Sequence, residues 1–389
     1  MSRRFFLLAL LLLSTPVMAG GTHGAHSLLG PPPNAASATT LALTTDKSGA
    51  PLLAWIEHAG HNQLRAARWT GGQWQALDRV VNENLAHNAS QISARTAPDG
   101  AVWLGWGEDS GAAHTDSYLL SSWSGTAWSD PSRYAIRRDL ADAGRSRAFT
   151  VLPDGQPFIA WTNIYDAEAR STVVQPFTWQ GERWDQSARP LNRSLQRASF
   201  YPSTDAAQIG DVYVAWLEGD VARSDVVVSV RRGGQWKPLG PTLNVRPNTY
   251  TFAPLLRVDT QGRPTVVWLE DRGGIDTVFV KRWTGSAWQA LGGALNVNAG
   301  SLAEAPSLAL DQQGDAVIAW AEGNAGNRRV YAKRWTGSAW QTLEGGALNL
   351  DGRHDAASAA VTLDGQNRVV VAWREGAPQG YAVQVRRFE

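Results

Sequence analysis

The chain has 389 residues, no cysteine and nearly balanced charge, with 36 basic and 35 acidic side chains. The lack of cysteine excludes disulfides, thiolate metal sites and cysteine nucleophiles. The balanced charge gives no reason to expect nucleic acid or an anionic membrane surface as a partner.

The first residues have the pattern of a cleaved export signal. Two arginines are followed by an apolar run from Phe5 to Leu13 and by small residues that end at Ala19. This run is too short to span a bilayer as a mature helix, and no later stretch of 18 apolar residues follows it. We expect a signal peptide at residues 1–19, a short linker at residues 20–25, and a protein exported to the periplasm or the cell exterior without membrane insertion.

The rest of the chain is repetitive. Nearly the same segment occurs twice, as KRWTGSAWQALGGALN from Lys281 and as KRWTGSAWQTLEGGALN from Lys333, which indicates a repeated supersecondary unit. A tryptophan that precedes both segments recurs at intervals of 51 to 55 residues, at Trp55, Trp106, Trp161, Trp216, Trp268, Trp320 and Trp373. The chain therefore contains seven copies of the unit.

Each copy predicts four short strands. Six residues before the recurring tryptophan stands glycine in six copies and Asn367 in the seventh, which predicts a hairpin turn with positive φ. In the sixth copy the strands A to D are predicted at SLALD, AVIAWAE, RVYAKRW and WQTLEG, with TGSA as the turn between C and D. Four strands in about 52 residues, repeated seven times, are typical of a β-propeller.

The two ends of the chain complement each other. The seventh copy stops at VQVRRFE and lacks strand D, whereas HSLLGPPPN at residues 26–34 aligns with WQALGGALN at residues 288–296. An N-terminal strand in the last blade would close the ring and remove two exposed sheet edges. We therefore predict an all-β, seven-bladed β-propeller of four-stranded antiparallel blades at residues 26–389, with the ring closed by an N-terminal strand.

The hairpin RWTGSAW resembles a known family motif. With its variants RWTGGQW from Arg68 and SWSGTAW from Ser122, it is similar to the Asp-box hairpin, S-x-D-x-G-x-x-W, of sialidase-type propellers. The glycine and tryptophan are kept and the aspartate is missing. The chain thus resembles secreted bacterial propellers with degenerate, Asp-box-like repeats of the sialidase or lectin type. Such propellers include glycosidases, lectins, inhibitors and scaffolds, so the resemblance implies the architecture more than an activity.

The most abundant distinctive residues fit a structural role. Eighteen of the nineteen tryptophans occupy repeat positions, and Trp103 is the exception, so we interpret them as packing residues rather than as sugar platforms. Two residues after the strand B tryptophan, a glutamate recurs in six copies, with Asn163 in the third. We interpret these glutamates as partners of neighbouring basic residues or of the turn between strands B and C. We predict no metal, no cofactor and no catalytic residue.

Function is expected where the copies differ. In propellers the B to C turns and the D to A crossings emerge on one face, at the mouth of the central channel, and here these connections vary while the A to B and C to D turns are uniform. The candidate ligand-binding residues on this face are Asp109, His114, Asp116, Tyr165, Arg170, Arg197, Tyr201, Arg246 and Tyr250. Arginine, tyrosine, histidine and aspartate can together bind carboxylates, sugars or peptides.

Three functions remain open at this stage. The first is an exported, non-catalytic binding module for a carbohydrate or protein ligand, present as a monomer. The second is a glycoside hydrolase of the sialidase kind, which the absence of an R-I-P type motif and of two carboxyls in different environments disfavours. The third is a structural component of the cell envelope.

Overall fold

The structure, a computed structural model, describes residues 26–32, 35, 38–77, 81–109, 115–139, 143–166, 171–220, 222–377 and 380–389. The predicted signal peptide and linker lie outside these residues, as do the candidate residues His114 and Arg170. The described residues form 28 strands in seven four-stranded antiparallel sheets. Two single-turn 3-10 helices, Pro131–Tyr134 and Leu343–Gly345, are present, and no helix in the described part of the chain could cross a lipid bilayer.

The strands of each sheet are lettered A to D from the channel outward and numbered along the chain. The first three blades contain β2 (Ala38–Thr45), β3 (Pro51–Ala59), β4 (His61–Thr70) and β5 (Gln73–Ala76); β6 (Asn88–Thr96), β7 (Val102–Asp109), β8 (Thr115–Trp123) and β9 (Ile136–Asp139); and β10 (Ala143–Val151), β11 (Pro157–Asp166), β12 (Ser171–Trp179) and β13 (Trp184–Asp185).

The remaining blades follow in chain order. They contain β14 (Ser199–Ala206), β15 (Val212–Gly219), β16 (Ser224–Arg232) and β17 (Gln235–Pro238); β18 (Thr251–Val258), β19 (Pro264–Asp271), β20 (Asp276–Trp283) and β21 (Trp288–Ala290); β22 (Ala303–Leu310), β23 (Ala316–Glu322), β24 (Arg329–Trp335) and β25 (Trp340–Thr342); and β26 (Ala356–Leu363), β27 (Val369–Ala377), β28 (Gly380–Phe388) and β1 (His26–Leu28). This arrangement confirms the seven-bladed propeller.

The N-terminal strand closes the ring as predicted. Strand β1 pairs antiparallel with β28, with His26 opposite Phe388, and the Leu29 N–H donates to the Val385 carbonyl at 2.9 Å. Gly30 has φ +72°, close to the +75° of Gly292, with which the sequence alignment had paired it. The last blade is thus built from both ends of the described chain.

The hydrophobic core is divided among the blade interfaces. Seven buried clusters each join residues of two neighbouring blades, and one of them joins the last blade to the first. The strand B tryptophans are at most 1% exposed. Strand B is apolar on both faces because a blade packs against each side of it. Stability therefore comes from blade-to-blade contact, without disulfides.

The predicted turns between strands A and B have the expected backbone. The six glycines have φ between +76° and +90°, and Asn367 has φ +61°. The inner strands also carry a bulge near the mouth, where Tyr201, Ala253 and Ala305 have φ between +45° and +51°. A bulge bends the strand and redirects the side chains beside it.

Blade 2 departs from the predicted repeat. Strand D was expected to begin at Trp128, but this residue makes only an isolated bridge with Trp123. The Asp130–Pro131 step starts a 3-10 turn, in which the Asp130 carboxylate accepts from the Ser132 N–H. Proline fixes φ and has no N–H for a sheet, so the chain turns there. Strand D forms later, at Ile136–Asp139, opposite the first half of β8.

Candidate functional site at the channel mouth

The B to C turns and the D to A crossings lie at the same end of every blade, because the strands are antiparallel and alternate in direction. We call this end the mouth face. Two repeated structural devices hold it in place, and they account for several residues that could otherwise be taken for functional groups.

The first device is the buried glutamate of strand B. Glu270 is fully buried, and its carboxylate accepts from the Val245 N–H, the Arg246 N–H and the Trp268 indole at 2.8, 2.8 and 3.2 Å. The same three kinds of donor reach Glu108, Glu218, Glu322 and Glu375. These five carboxylates hold the mouth face together.

This geometry confirms that the strand B glutamates have a structural role, but their hydrogen-bond donors differ from those expected. The main-chain donors belong to the D to A crossing from the preceding blade, whereas the sequence suggested the B to C turn or a basic neighbour. A basic neighbour is found at Glu57, where the Arg65 guanidinium donates to the carboxylate at 3.1 Å, and at Glu108, where the His87 Nδ1 lies 3.5 Å from the carboxylate. The main-chain donors could not be read from the sequence because they lie about 25 residues away.

The second device is an asparagine at the start of each of five crossings. The Asn296 amide oxygen accepts from the Val278 N–H at 3.0 Å, and its amide nitrogen donates to the carbonyls of Asp276 and Ser301 at 3.0 and 2.8 Å. Equivalent bonds are made by Asn82, Asn192, Asn244 and Asn349. The crossings are therefore held in fixed shapes before any ligand arrives.

The outer tryptophans are also engaged by the scaffold. Trp335 and Trp340 pack edge to face with ring centroids 5.4 Å apart, and the Trp340 indole donates to the Leu291 carbonyl of the preceding blade at 2.6 Å. Trp74, Trp184 and Trp288 make the corresponding bond. These contacts support the interpretation of the tryptophans as packing residues.

Two of the predicted ligand residues meet at the mouth. Tyr201 lines the channel opening and is 53% exposed, and its N–H donates to the Ser146 hydroxyl at 3.0 Å. Tyr250 stacks on Phe252 with ring centroids 5.3 Å apart. Burial raises the pKa of Tyr250, and the proximity of Tyr201 and Asp276 raises it further. Tyr201 thus lies near enough to Tyr250 to affect its ionisation.

The predicted arginines lie beside this pair rather than within it. The Arg197 guanidinium donates to the Asp225 carboxylate at 2.8 Å and to the Glu218 carbonyl at 2.7 Å, on the wall of a groove of about 710 Å³. Thr249, next to Tyr250 in sequence, lines the same groove. The Arg246 side chain is exposed, and its N–H holds Glu270. Both arginines can be reached from solvent on the mouth face.

Of the remaining candidates, the structure describes Asp109, Tyr165 and Asp116. Tyr165 is 54% exposed near the end of β11, and Asp109 is half-buried at the end of β7. Asp116 lies in β8, opposite Asp109 in the strand register. These residues belong to blades 2 and 3, and Ser171 of blade 3, opposite Asp166 in the strand register, lines the edge of the groove that holds Arg197.

A polar cluster at blades 6 and 7 was missed by the sequence interpretation. The Arg328 guanidinium donates to the Asp355 carboxylate at 2.7 Å and to Glu304 at 2.9 Å. The Tyr381 hydroxyl donates to the same Asp355 oxygen at 2.7 Å, and the Arg374 guanidinium lies 4.5 Å from the Tyr381 ring centroid. The crossing from blade 6 to blade 7 therefore supplies, through Asp355, the acceptor at the centre of this cluster.

The charges of the cluster affect one another. Burial raises the pKa of Asp355, but hydrogen bonds from Arg328 and Tyr381 outweigh this effect and lower the pKa to about 2. The bond to Asp355 and burial raise the pKa of Tyr381. Burial raises the pKa of Asp276, and the nearby carboxylates of Asp271 and Glu304 raise it further. Asp355 therefore stays ionised at neutral pH, while Asp276 holds a proton more readily than an ordinary aspartate.

Tyr250, Asp276 and Glu304 lie near enough to affect one another's ionisation, so the tyrosine pair is linked to the polar cluster by electrostatic proximity. We call the set the mouth arc, and it consists of Tyr201, Tyr250, Asp276, Glu304, Arg328, Asp355, Tyr381 and Arg374. A departure from the repeat marks part of it. Three residues before the strand C residue that lies opposite the strand B tryptophan, Thr172 and Ser224 bond to the next blade through a hydroxyl. At this position blade 6 has Arg328 and blade 7 has Tyr381.

No protein-family model matches this sequence, and a search of curated protein sequences gives no match either. Solved structures do match the fold. An α-L-arabinanase from Penicillium chrysogenum, complexed with arabinobiose, has a TM-score of 0.51 at 12% identity, over 94% of this chain and 97% of that one. An ulvan lyase described as a new polysaccharide lyase family has a TM-score of 0.56 at 12% identity, over 92% and 93%.

A third match shows how broadly the fold is used. A prolyl endopeptidase structure has a TM-score of 0.56 at 14% identity, over 90% of this chain but only 47% of that one. At these identities the likeness establishes the propeller fold alone.

Proposed function

We propose that this protein is an exported, non-catalytic propeller that binds a glycan at the mouth arc. The observation that carries the proposal is the arc itself, in which the partly exposed rings of Tyr201 and Tyr250 adjoin a series of guanidinium and carboxyl groups at a concave opening. Tyrosine rings offer flat faces for sugar rings, and the charged groups are donors and acceptors for sugar hydroxyls. The fixed crossings beneath them limit the entropy that binding would cost.

Binding is favoured over catalysis because the repeated carboxylates are already hydrogen-bonded to the scaffold. Five strand B glutamates each accept three hydrogen bonds from the scaffold and are at most 3% exposed. A buried carboxylate in that state has no access to a substrate, and three of its roughly four lone-pair sites are already occupied. The similar folds of an arabinanase and a polysaccharide lyase support a carbohydrate ligand as a hypothesis at the level of the fold.

The test begins with the protein without residues 1–19, labelled and applied to a glycan array, followed by calorimetric titration of the glycans retained. We expect the double variant Arg246→Ala/Tyr250→Ala to lose binding while its melting temperature changes little, because exposed rim residues contribute little stability. Lys237→Ala, which changes an exposed residue on the outer strand of blade 4, is the control and should bind normally. Normal binding by the double variant would exclude Tyr250 of the arc and the adjoining Arg246 from the site, and the lack of any retained glycan would favour a structural role in the envelope.

A glycan-cleaving enzyme is the second candidate, and Asp276 is the observation in its favour. A carboxyl group whose pKa is raised, beside a second carboxyl, is the usual form of a general acid. Release of reducing ends from polysaccharides, or of fluorophore from glycosides, would reveal turnover. An Asp276→Asn variant that keeps glycan affinity but loses turnover would establish the enzyme. Glycan binding without turnover by the wild-type protein would exclude the enzyme and support the binding module.

A further inference from the structure

The central channel is positively charged inside. The inner strands of all seven blades enclose a space of about 520 Å³, which is lined by Arg95, Arg147 and Arg257 and, among its described lining residues, by no carboxylate. Of the mouth arc, Tyr201 lines the opening of this same space, and the arginines lie below it. Tyr201 and Asp205 are four residues apart on β14, so the layer of Asp205 lies at most about 13 Å below the mouth at the usual rise of a strand, because the bulge at Tyr201 shortens that rise.

Arg95 and Arg257 lie in this same deep layer. Arg95 is opposite Trp103 and Arg257 is opposite Thr265, each three residues before the strand B tryptophan of its blade. Among the described residues each guanidinium makes a single hydrogen bond, to the Ala94 carbonyl at 2.9 Å or to the Leu256 carbonyl at 2.7 Å. The buried Arg95 Nε has no acceptor. A guanidinium has five N–H donors, so most of the donor capacity in this layer is unused.

The layer also carries more positive than negative charge. Its seven positions are Thr44, Arg95, Thr150, Asp205, Arg257, Ala309 and Thr362. The Asp205 carboxylate already accepts from the Thr150 hydroxyl and from the N–H groups of Ala206 and Val258, at 3.3, 3.0 and 2.9 Å. Burial lowers the pKa of Arg257 to about 9, with repulsion from Arg95 adding to it, and Asp205 offsets this only in part.

We propose that the channel binds one small oxyanion, such as phosphate, sulfate or a carboxylate, between Arg95 and Arg257. A planar guanidinium fork matches the oxygen spacing of these anions, and two forks with unused donors converge on one enclosed space. The channel has room for such an anion with several waters, since a water occupies about 30 Å³. The bound anion balances the excess positive charge of the layer. This anion site does not depend on the glycan proposed at the mouth.

The test is thermal unfolding in phosphate, sulfate, acetate or chloride at equal ionic strength. We expect a saturable rise in melting temperature with at least one oxyanion relative to chloride, because a ligand that binds only the folded state stabilises it. Arg95→Met and Arg257→Met should each abolish that rise. In chloride these variants should melt no lower than the wild type, because each removes a poorly compensated buried charge.

Arg231→Met is the matched control. The Arg231 guanidinium is also partly buried, 5.7 Å from the ring centroid of Phe158, and its pKa is also lowered by burial, but it lies outside the channel lining. This variant should keep the oxyanion response. No oxyanion effect in the wild type, or an undiminished effect in both channel variants, would overturn the proposal. If the variants do not fold, selenate soaked into wild-type crystals decides: anomalous density between the two guanidiniums supports the site, and density only at the protein surface overturns it.

Discussion

The buried glutamate of strand B shows how one side chain can connect three parts of a repeat. Glu270 is fully buried next to Trp268, and it receives two N–H groups from the crossing that leads out of blade 4. An ionised carboxylate in such a place is tolerated only because several donors surround it. The residue thus joins the core of its own blade to the mouth face of the preceding blade.

The first prediction compares this glutamate with its counterpart in blade 1. Glu270→Gln places an amide NH₂ against N–H donors, and we expect a loss of about 2–4 kcal/mol in the free energy of unfolding. Glu57→Gln, which weakens a partly exposed pair with Arg65, should cost less than about 1 kcal/mol. Urea unfolding followed by tryptophan fluorescence measures both. Equal losses in the two variants would contradict the anchoring role of the buried carboxylate.

The second prediction concerns the turn glycines. Gly155 has φ +79°, and a Cβ built there would have no heavy atom within 4 Å beyond its chain neighbours, so a substitution tests backbone conformation alone. Gly155→Val should cost about 1–3 kcal/mol. Gly155→Asn should cost clearly less, because asparagine tolerates positive φ and Asn367 already occupies this position. The two unfolding midpoints are compared directly, and coincident midpoints would contradict the strain.

Gly314 has the same turn conformation but a different environment. A Cβ at Gly314 would lie 2.5 Å from an Asp259 carboxylate oxygen of the preceding blade. The sequence predicts the positive φ, because glycine or asparagine recurs there. It does not predict which turns touch the next blade, because that depends on the packing of side chains distant in sequence.

The same limit explains what was missed at the candidate site. Tyr201 and Tyr250 could be selected from sequence because they stand in variable crossings. The cluster of Arg328, Asp355 and Tyr381 could not, because its members come from different strands and meet only when blades 6 and 7 pack. A comparison of this position at the start of strand C across the seven copies would have shown an arginine in blade 6 and a tyrosine in blade 7, where the other five blades have small polar residues.

Among the elements, the strands of the repeat were predicted more accurately than its connections. Strands B and C of the sixth copy occur where the sequence placed them, at Ala316–Glu322 and Arg329–Trp335. Strand B is a continuous apolar run because both of its faces are buried, and strand C alternates because one of its faces is only partly buried. Strand D of blade 2 was misplaced, because the Asp130–Pro131 turn interrupts the repeat locally.

The third prediction concerns strand β1. A chain that begins at Ala36 lacks this strand, which leaves the edge of β28 unpaired and removes Leu29, a buried member of the core between the last and first blades. We expect a lower melting temperature than for a chain that begins at His26, and aggregation through the exposed edge. Calorimetry and light scattering test both effects. Equal melting of the two chains would show that the closing strand adds no stability.

At the scale of the whole molecule, β1 links the first and last blades, because it belongs to the sheet of the last blade and continues into the first. The strand lies in the last blade, while the residues that follow it lead into the first, so separation of these two blades requires β1 to leave β28. Each of the other six interfaces is crossed by a D to A connection between consecutive blades. Opening at the closing interface is therefore opposed by both sheet hydrogen bonds and apolar contact.

The fourth prediction isolates this link through β1 by circular permutation. A chain that starts at Ser37, continues to Phe388 and is joined through Thr-Gly-Ser-Ala to residues 26–36 keeps every strand, and the added link copies the four-residue turn between Trp335 and Trp340. Its closing interface now separates without breaking a sheet. We expect an unchanged circular dichroism spectrum but unfolding about tenfold faster in urea, equivalent to about 1.4 kcal/mol in the activation free energy. A permuted chain that unfolds as slowly as residues 26–389 would show that the link through β1 does not limit the opening of the ring.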